Sequence, residues 1–306
     1  MPIFIGGTGR SGTSHLSKIL GEHPSIWSLK QECRFIIDPG GIEDVVEILS
    51  GKFTHLHADD CLRRLKYLLA VRLKGKEESA FAMWDHEDNF GKENYNQFID
   101  ELFYALTDYK YRETTPYPVS GKIISTTRVV GKYFPKRSEL ISILRKKIGG
   151  LFDRATKANG KKDWCEKTPF NFLSFPFLRE LFPNSKLIHI MRNPLYVAAS
   201  YKDSTQAWAP NDMLQVCKLL EPIYKRWLYF KGHNNMDYIE LRLEDICQDW
   251  EKSRANLFNI LGLPDYKTPS EMRIEYVKHR GEALSKKEEE MVKEKLGFAI
   301  SSLGYK

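Results

Sequence analysis

The sequence has 306 residues, 42% of them hydrophobic and 28% charged, a balance that fits a folded globular chain and excludes disordered or collagen-like classes. Its net charge of +7 suits an anionic ligand without identifying one, and no run of about 18 apolar residues marks a membrane span. Five cysteines without a Cys-x-x-Cys pair exclude an obvious disulfide framework or zinc site, so a reducing, cytoplasmic setting is expected.

In chain order, Pro2–Ile5 is a short apolar run stopped by glycine and reads as a buried parallel strand. Residues 14–20 follow with helical spacing, and Ser25–Leu29 reads as a second strand. From about residue 42 to 160 the pattern is mostly helical, with Tyr109–Pro135, rich in Thr, Tyr and Pro, expected to be a long connection. The α/β pattern returns near residue 164. Phe175–Leu181 reads as a helix, Lys186–Met191 as a strand and Pro194–Tyr201 as a helix. Met213–Tyr229 reads as a long helix, Tyr238–Leu243 as a strand and Asp249–Leu261 as a helix. Alternation of this kind implies a parallel sheet covered on both faces. The expected fold is a single α/β domain over residues 1–306: a P-loop-type parallel sheet flanked by helices, with a mostly helical insertion. The basic clusters are scattered and read as solvated helix faces, so no nucleic-acid partner is expected.

Gly7-Thr8-Gly9-Arg10-Ser11-Gly12-Thr13-Ser14 lies between a predicted strand and a predicted helix. Glycines let a backbone approach an anion closely, and a helix start supplies free N–H groups and a positive dipole end. Ser11, Thr13 and Ser14 add hydroxyls, and Arg10 adds a charged fork. Three readings compete. In a nucleotide triphosphatase loop, Thr13 would stand where a lysine belongs. A dinucleotide fingerprint fits Gly7, Gly9 and Gly12, with Glu32 placed for a ribose, but it gives Arg10 and the second half of the chain no role. The third reading is a 5′-phosphosulfate loop, formed by Gly9, Arg10, Ser11, Gly12, Thr13 and Ser14.

A second anion-binding candidate follows the strand at Lys186–Met191. Arg192 stands at the strand's C-terminal end, where ligands bind in open α/β sheets. Ser200 follows eight residues later on the next predicted helix.

With both segments in view, the chain resembles the sulfotransferases that use 3′-phosphoadenosine 5′-phosphosulfate, of the tyrosylprotein or bacterial type. The Gly7–Ser14 loop is similar to their 5′-phosphosulfate loop, and Arg192 through Ser200 to their 3′-phosphate motif. Glu32-Cys33-Arg34, Cys165-Glu166-Lys167-Thr168-Pro169-Phe170 and Leu243-Glu244-Asp245-Ile246 extend the likeness. In the last of these, leucine replaces the usual tyrosine. The resemblance covers about residues 2–40 and 164–265. It implies a sulfuryl transfer to a hydroxyl-bearing acceptor with no metal. Arg10 would stabilise the bridging oxygen, Lys167 would be a second cation and Glu32 the general base. A non-catalytic nucleotide-binding protein and an NAD(P)-dependent oxidoreductase are the alternatives.

The histidines and acidic clusters have plainer expectations. His15 and His189 read as structural, His189 as a satisfied core residue. His55-x-His57-x-Asp59-Asp60 and Asp85-His86-Glu87-Asp88 read as exposed polar loops and helix starts, not metal sites.

Overall fold

The computed structural model describes residues 1–75, 84–115, 124–204, 209–273 and 284–305. They pack as two compact units. The first comprises Met1–Lys30, Lys161–Arg179 and Pro183–Lys306; the second comprises Gln31–Gly160 with Glu180–Phe182.

The first unit is built on strands β1 (Pro2–Gly6), β2 (Ile26–Ser28), β5 (Asp163–Lys167), β6 (Lys186–Met191) and β7 (Ile239–Arg242), hydrogen-bonded in the order β2-β5-β1-β6-β7. All the pairings are parallel. Parallel neighbours need crossovers, and helices supply them: α1 (Thr13–Glu22), α7 (Phe175–Leu181), α8 (Pro194–Lys202) and α9 (Met213–His233). After β7 come α10 (Leu243–Gln248), α11 (Trp250–Leu261) and α12 (Lys286–Ser302).

Strand side chains alternate between faces, and the sequence uses both. Ile3, Ile5, Cys165, Ile188 and Ile190 join Leu16, Ile19 and Leu20 of α1 and Leu257, Phe258 and Leu261 of α11 in one apolar core. The intervening residues meet an aromatic layer instead. Phe4 stands edge-on to Trp164 at 5.4 Å. His189 stacks on Phe172 at 4.8 Å and lies 4.1 Å from Trp227 of α9.

That packing accounts for His189 as a core residue, with a correction. Neither ring nitrogen has a hydrogen-bond partner among the described residues, and Glu240 is 3.7 Å away, beyond hydrogen-bond reach. Burial pushes its pKa down, so the ring sits neutral among aromatics. His15, by contrast, is satisfied by the Glu271 carbonyl at 2.8 Å.

The second unit is helical, with α2 (Ile42–Ser50), α3 (His55–Tyr67), α4 (His86–Phe90), α5 (Lys92–Leu106) and α6 (Arg137–Ala158). It also holds an antiparallel pair, β3 (Thr107–Thr115) and β4 (Ile124–Gly131). The expected long connection at Tyr109–Pro135 is therefore largely a strand pair, because its Thr, Tyr and Val content favours the extended pleat; residues 116–123 lie outside the described part.

Two acidic clusters expected to be exposed are partly buried. The Asp59 side chain is 1% exposed and accepts from Arg128 Nη1 and the Val129 N–H, both at 2.8 Å, with Arg63 Nη2 at 3.0 Å. It ties α3 to β4. His86 is fully buried, and its Nε2–H donates to the Cys33 carbonyl at 3.1 Å. Asp85 is the cap of α4, accepting from the Glu87 N–H at 2.9 Å, so the helix-start part of the expectation stands. Among the described residues no group of His, Cys, Asp and Glu is placed to hold a metal ion, and no helix is long and apolar enough to cross a membrane. The five cysteines are buried, and none is in a disulfide among the described residues.

Candidate active site

Three adjacent strands of the first unit, β5, β1 and β6, deliver the candidate residues at their C-terminal ends. Lys167 ends β5 and pairs in register with Ile5 of β1, whose next residue, Gly6, pairs with His189 of β6. The loop Gly7–Ser14 leaves β1, and Arg192 follows β6. The chain winds from β1 outward to one side, returns through β5 and continues on the other side through β6 and β7. This is the topological switch point at which open α/β sheets bind ligands.

The loop conformation explains its residues. Gly9 and Gly12 have φ of +74° and +93°, the left-handed region that glycine enters without steric cost. A Cβ on Gly9 would stand 2.5 Å from Tyr201 Oη, and one on Gly12 would stand 2.9 Å from Leu243 Cδ1. Arg10 also has positive φ, +55°, a conformation a side-chain-bearing residue holds only when its surroundings enforce it. Two neighbours do so here. Tyr201 Oη donates to the Thr8 carbonyl at 2.8 Å, and Arg192 Nη1 donates to the Arg10 carbonyl at 3.0 Å.

The side chains converge. Arg10 Nε donates to Ser200 Oγ at 3.0 Å. Arg192 and Ser200 are 4% and 2% exposed, so this polar cluster is built into the protein. Lys167 is buried as well, at 7%. Ser11 Oγ is buried and has no hydrogen-bond partner among the described residues. Thr13 is buried, whereas Ser14 is exposed. Helix α1 begins directly after Gly12, with no side-chain cap and no acid in its first turn. Its leading N–H groups and positive dipole end therefore face no competing carboxylate of their own helix. Glu166, the nearest acid in sequence to Lys167, is committed to Thr168 Oγ1 and Asn171 Nδ2, both at 2.6 Å. Arg192 and Lys167 are buried cations and Arg10 is a half-buried one, and such groups suit an anionic ligand. An orphaned hydroxyl, a bare helix start and clustered cations fit a polyanionic ligand.

Glu32 belongs to the second unit. Its Oε2 lies 2.8 Å from Arg34 Nη1, and Arg34 Nε lies 2.6 Å from Asp38 Oδ2. Arg34 has φ of +58° and its guanidinium sits over the Trp84 ring.

Sequence reasoning gave no positioning role to Tyr201, Glu244 or Tyr305. Tyr201 carries the loop on its hydroxyl, and only its position beside Ser200 hinted at a role. Glu244 accepts from the Asn193 N–H at 2.9 Å, and Tyr305 donates to Glu244 at 3.0 Å; nothing in residue spacing announced that triad. Leu243 needs no role in ligand binding, since it is buried in the apolar core.

A glycine loop feeding a helix at the centre of a parallel sheet, flanked by helices on both faces, defines a P-loop-type α/β fold of the sulfotransferase kind. Residues 2–267 match the model of the sulfotransferase family, and the chain belongs to that family. Its fold is similar to the sulfotransferase domain of the Synechococcus PCC 7002 olefin synthase, at 14% identity and a TM-score of 0.51, over 100% of this chain and 95% of that one. It is equally similar to the sulfotransferase domain from the curacin biosynthetic pathway, at 13% identity and a TM-score of 0.51, over 100% and 99% of the two chains. Among curated proteins there is no significant match.

Proposed function

We propose that this protein transfers a sulfuryl group from 3′-phosphoadenosine 5′-phosphosulfate to an acceptor hydroxyl by in-line displacement, without a metal. The observation that carries the reading is the hydrogen bond from Arg192 Nη1 to the Arg10 carbonyl, 3.0 Å long. It joins two motifs 182 residues apart at the C-terminal ends of the adjacent inner strands β1 and β6, as a ligand with two anionic groups on one nucleoside requires.

In this reading the loop N–H groups, Ser11 and Thr13 receive the 5′-phosphosulfate, and Arg192 with Ser200 receives the 3′-phosphate. Sulfuryl transfer concentrates negative charge on the leaving phosphate oxygen. A preorganised cation at that atom lowers the barrier because it needs no reorganisation as the charge develops. Arg10 has that role, and Lys167 supplies a second cation on the transferring group. Ser14, exposed on α1, is left to the outer rim of the donor site. The donor's own leaving group and these cations replace the charge neutralisation that triphosphate chemistry takes from magnesium.

An attacking hydroxyl must lose its proton, and a positioned base contributes about 10²–10⁴-fold. Glu32 is the proposed base. Support comes from the Glu-x-Arg likeness, in which Glu32 is ion-paired with Arg34. The acceptor is proposed only as a hydroxyl compound.

The test is a transfer assay with the sulfonucleotide and a panel of alcohol, phenol, sugar and lipid acceptors, read by mass spectrometry. Gain of one sulfate on an acceptor is expected for the wild-type protein, with a loss of about 100-fold or more in Glu32→Gln. Undiminished turnover in Glu32→Gln removes the base assignment, and no transfer to any acceptor favours a protein that only binds nucleotide.

A further inference from the structure

Helix α12 and the residues after it lie beyond the 2–267 stretch that matches the family, yet they are fastened to the elements that carry the second anion-binding motif. Ser285 begins α12 with a reciprocal capping box to Glu288, and Glu288 Oε1 reaches Lys202 Nζ at 2.6 Å. Lys202 is the last residue of α8, two positions after Ser200. At the other end of α12, Arg242 Nη2 donates to the Leu303 carbonyl at 2.7 Å, and its guanidinium lies 5.1 Å from the centre of the Tyr305 ring. This docks residues 303–305 on the junction of β7 and α10.

There Tyr305 Oη donates to Glu244 Oε2 at 3.0 Å, while Glu244 Oε1 accepts from the Asn193 backbone N–H at 2.9 Å. Asn193 follows Arg192 directly and caps α8, its Oδ1 accepting from the Leu195 N–H at 2.9 Å. Tyr305, Glu244 and Asn193 thus form an unbroken relay ending at the peptide that bears Arg192. The carboxylate is well placed for this work: both its oxygens are used, and charge-assisted bonds hold geometry more firmly than neutral ones. Burial and the neighbouring Glu244 raise the Tyr305 pKa, so the phenol remains a donor.

We propose that residues 284–305 act as a built-in clamp, in which Tyr305 and Glu244 are positioning residues that fix the Arg192–Asn193 turn for the 3′-phosphate of the donor. The inference rests on the sulfonucleotide reading above and adds to it a part outside the family match. Removing the clamp leaves the 5′ loop the bond from Tyr201 to the Thr8 carbonyl, which does not pass through Arg192, so the loss falls mainly on the 3′ subsite.

Calorimetry with two probes separates these effects: adenosine 3′,5′-bisphosphate, which uses both subsites, and adenosine 5′-monophosphate, which uses only the loop. The wild-type protein should prefer the bisphosphate. Tyr305→Phe keeps the ring and removes the hydrogen bond, and it should cut that preference by about five- to tenfold, with a much smaller effect on the monophosphate affinity. Glu244→Gln keeps an oxygen for Asn193 and an amide for Tyr305, and should retain most of the preference, while Glu244→Ala should lose it. An unchanged preference in Tyr305→Phe and Glu244→Ala, or an equal loss for both probes, overturns the clamp. If the wild-type protein shows no preference for the bisphosphate, the failure lies in the 3′-phosphate assignment itself, and the clamp falls with it.

Discussion

Arg10 combines an unfavourable backbone with its proposed role at the leaving oxygen. A residue with a Cβ gives up roughly 1–2 kcal/mol in the left-handed region, and glycine at this position, as at Gly9 and Gly12, would avoid that loss. The bond that Arg10 Nε makes to Ser200, and the bond that its carbonyl accepts from Arg192, show what the strain holds in place. Arg10→Gly should therefore relieve strain while discarding the cation. The relief is offset by the greater freedom of an unfolded glycine, roughly 0.4–1 kcal/mol, so the melting temperature should change by no more than a few degrees. Turnover should fall by about 10²–10³-fold, the usual loss when one preorganised donor at a developing oxyanion is removed. Stability by calorimetry and rate by the transfer assay check the two halves separately. A full-speed Arg10→Gly protein would show that the guanidinium does not face the leaving oxygen.

Elements differ in how openly the sequence announces them. Strand β6 was legible to the residue, since Leu187, Ile188, Ile190 and Met191 make a short, apolar stretch between Asn184-Ser185 and Arg192-Asn193. The Gly7–Ser14 loop was legible because glycines, hydroxyls and a cation occur together between a strand and a helix. The β3–β4 pair was not, because Tyr109–Pro135 lacks a short Asn-Gly-type turn and its prolines suggested a connection. Helix α4 was recognised only as a polar start, because nothing in Asp85–Asp88 reveals that His86 turns inward. That burial has a consequence for acid stability. His86, edge-on to Phe90 and Tyr95, is held neutral by desolvation, its pKa pushed down from 6.5 to about 4. Between those two values the unfolded chain takes up a proton that the folded one refuses. The stabilisation is complete above about pH 6.5 and is lost as the pH falls toward 4, amounting to about 2 kcal/mol by pH 5. The buried His189 acts in the same direction. Thermal unfolding should thus show a lower melting temperature at pH 5 than at pH 7. His86→Gln, less stable at pH 7, should have a shallower dependence; an equal slope in both proteins would place the acid sensitivity elsewhere.

At the scale of the whole molecule, one family fold carries all of the proposed donor chemistry in its first unit. The C-terminal ends of β5, β1 and β6 place Lys167, the glycine loop and Arg192 at one end of the sheet, although they lie far apart in the sequence. The candidate donor site was readable in advance because each half is a short local signal placed after a strand. The restraints on it were not, since Tyr201, Glu244 and Tyr305 act through contacts that only folding creates. The second unit, Gln31–Gly160 with Glu180–Phe182, contributes Glu32 in the proposal, and the family match at residues 2–267 extends through it.

The most direct measurement is calorimetric titration of adenosine 3′,5′-bisphosphate into the wild-type and Arg192→Ala proteins, in buffer containing a chelator and no magnesium. The account predicts stoichiometric binding to the wild-type protein and a loss of at least about tenfold in affinity for Arg192→Ala, as expected when a charged hydrogen-bonding partner is removed. Binding that requires magnesium, or an Arg192→Ala protein that binds as tightly as wild type, would contradict it.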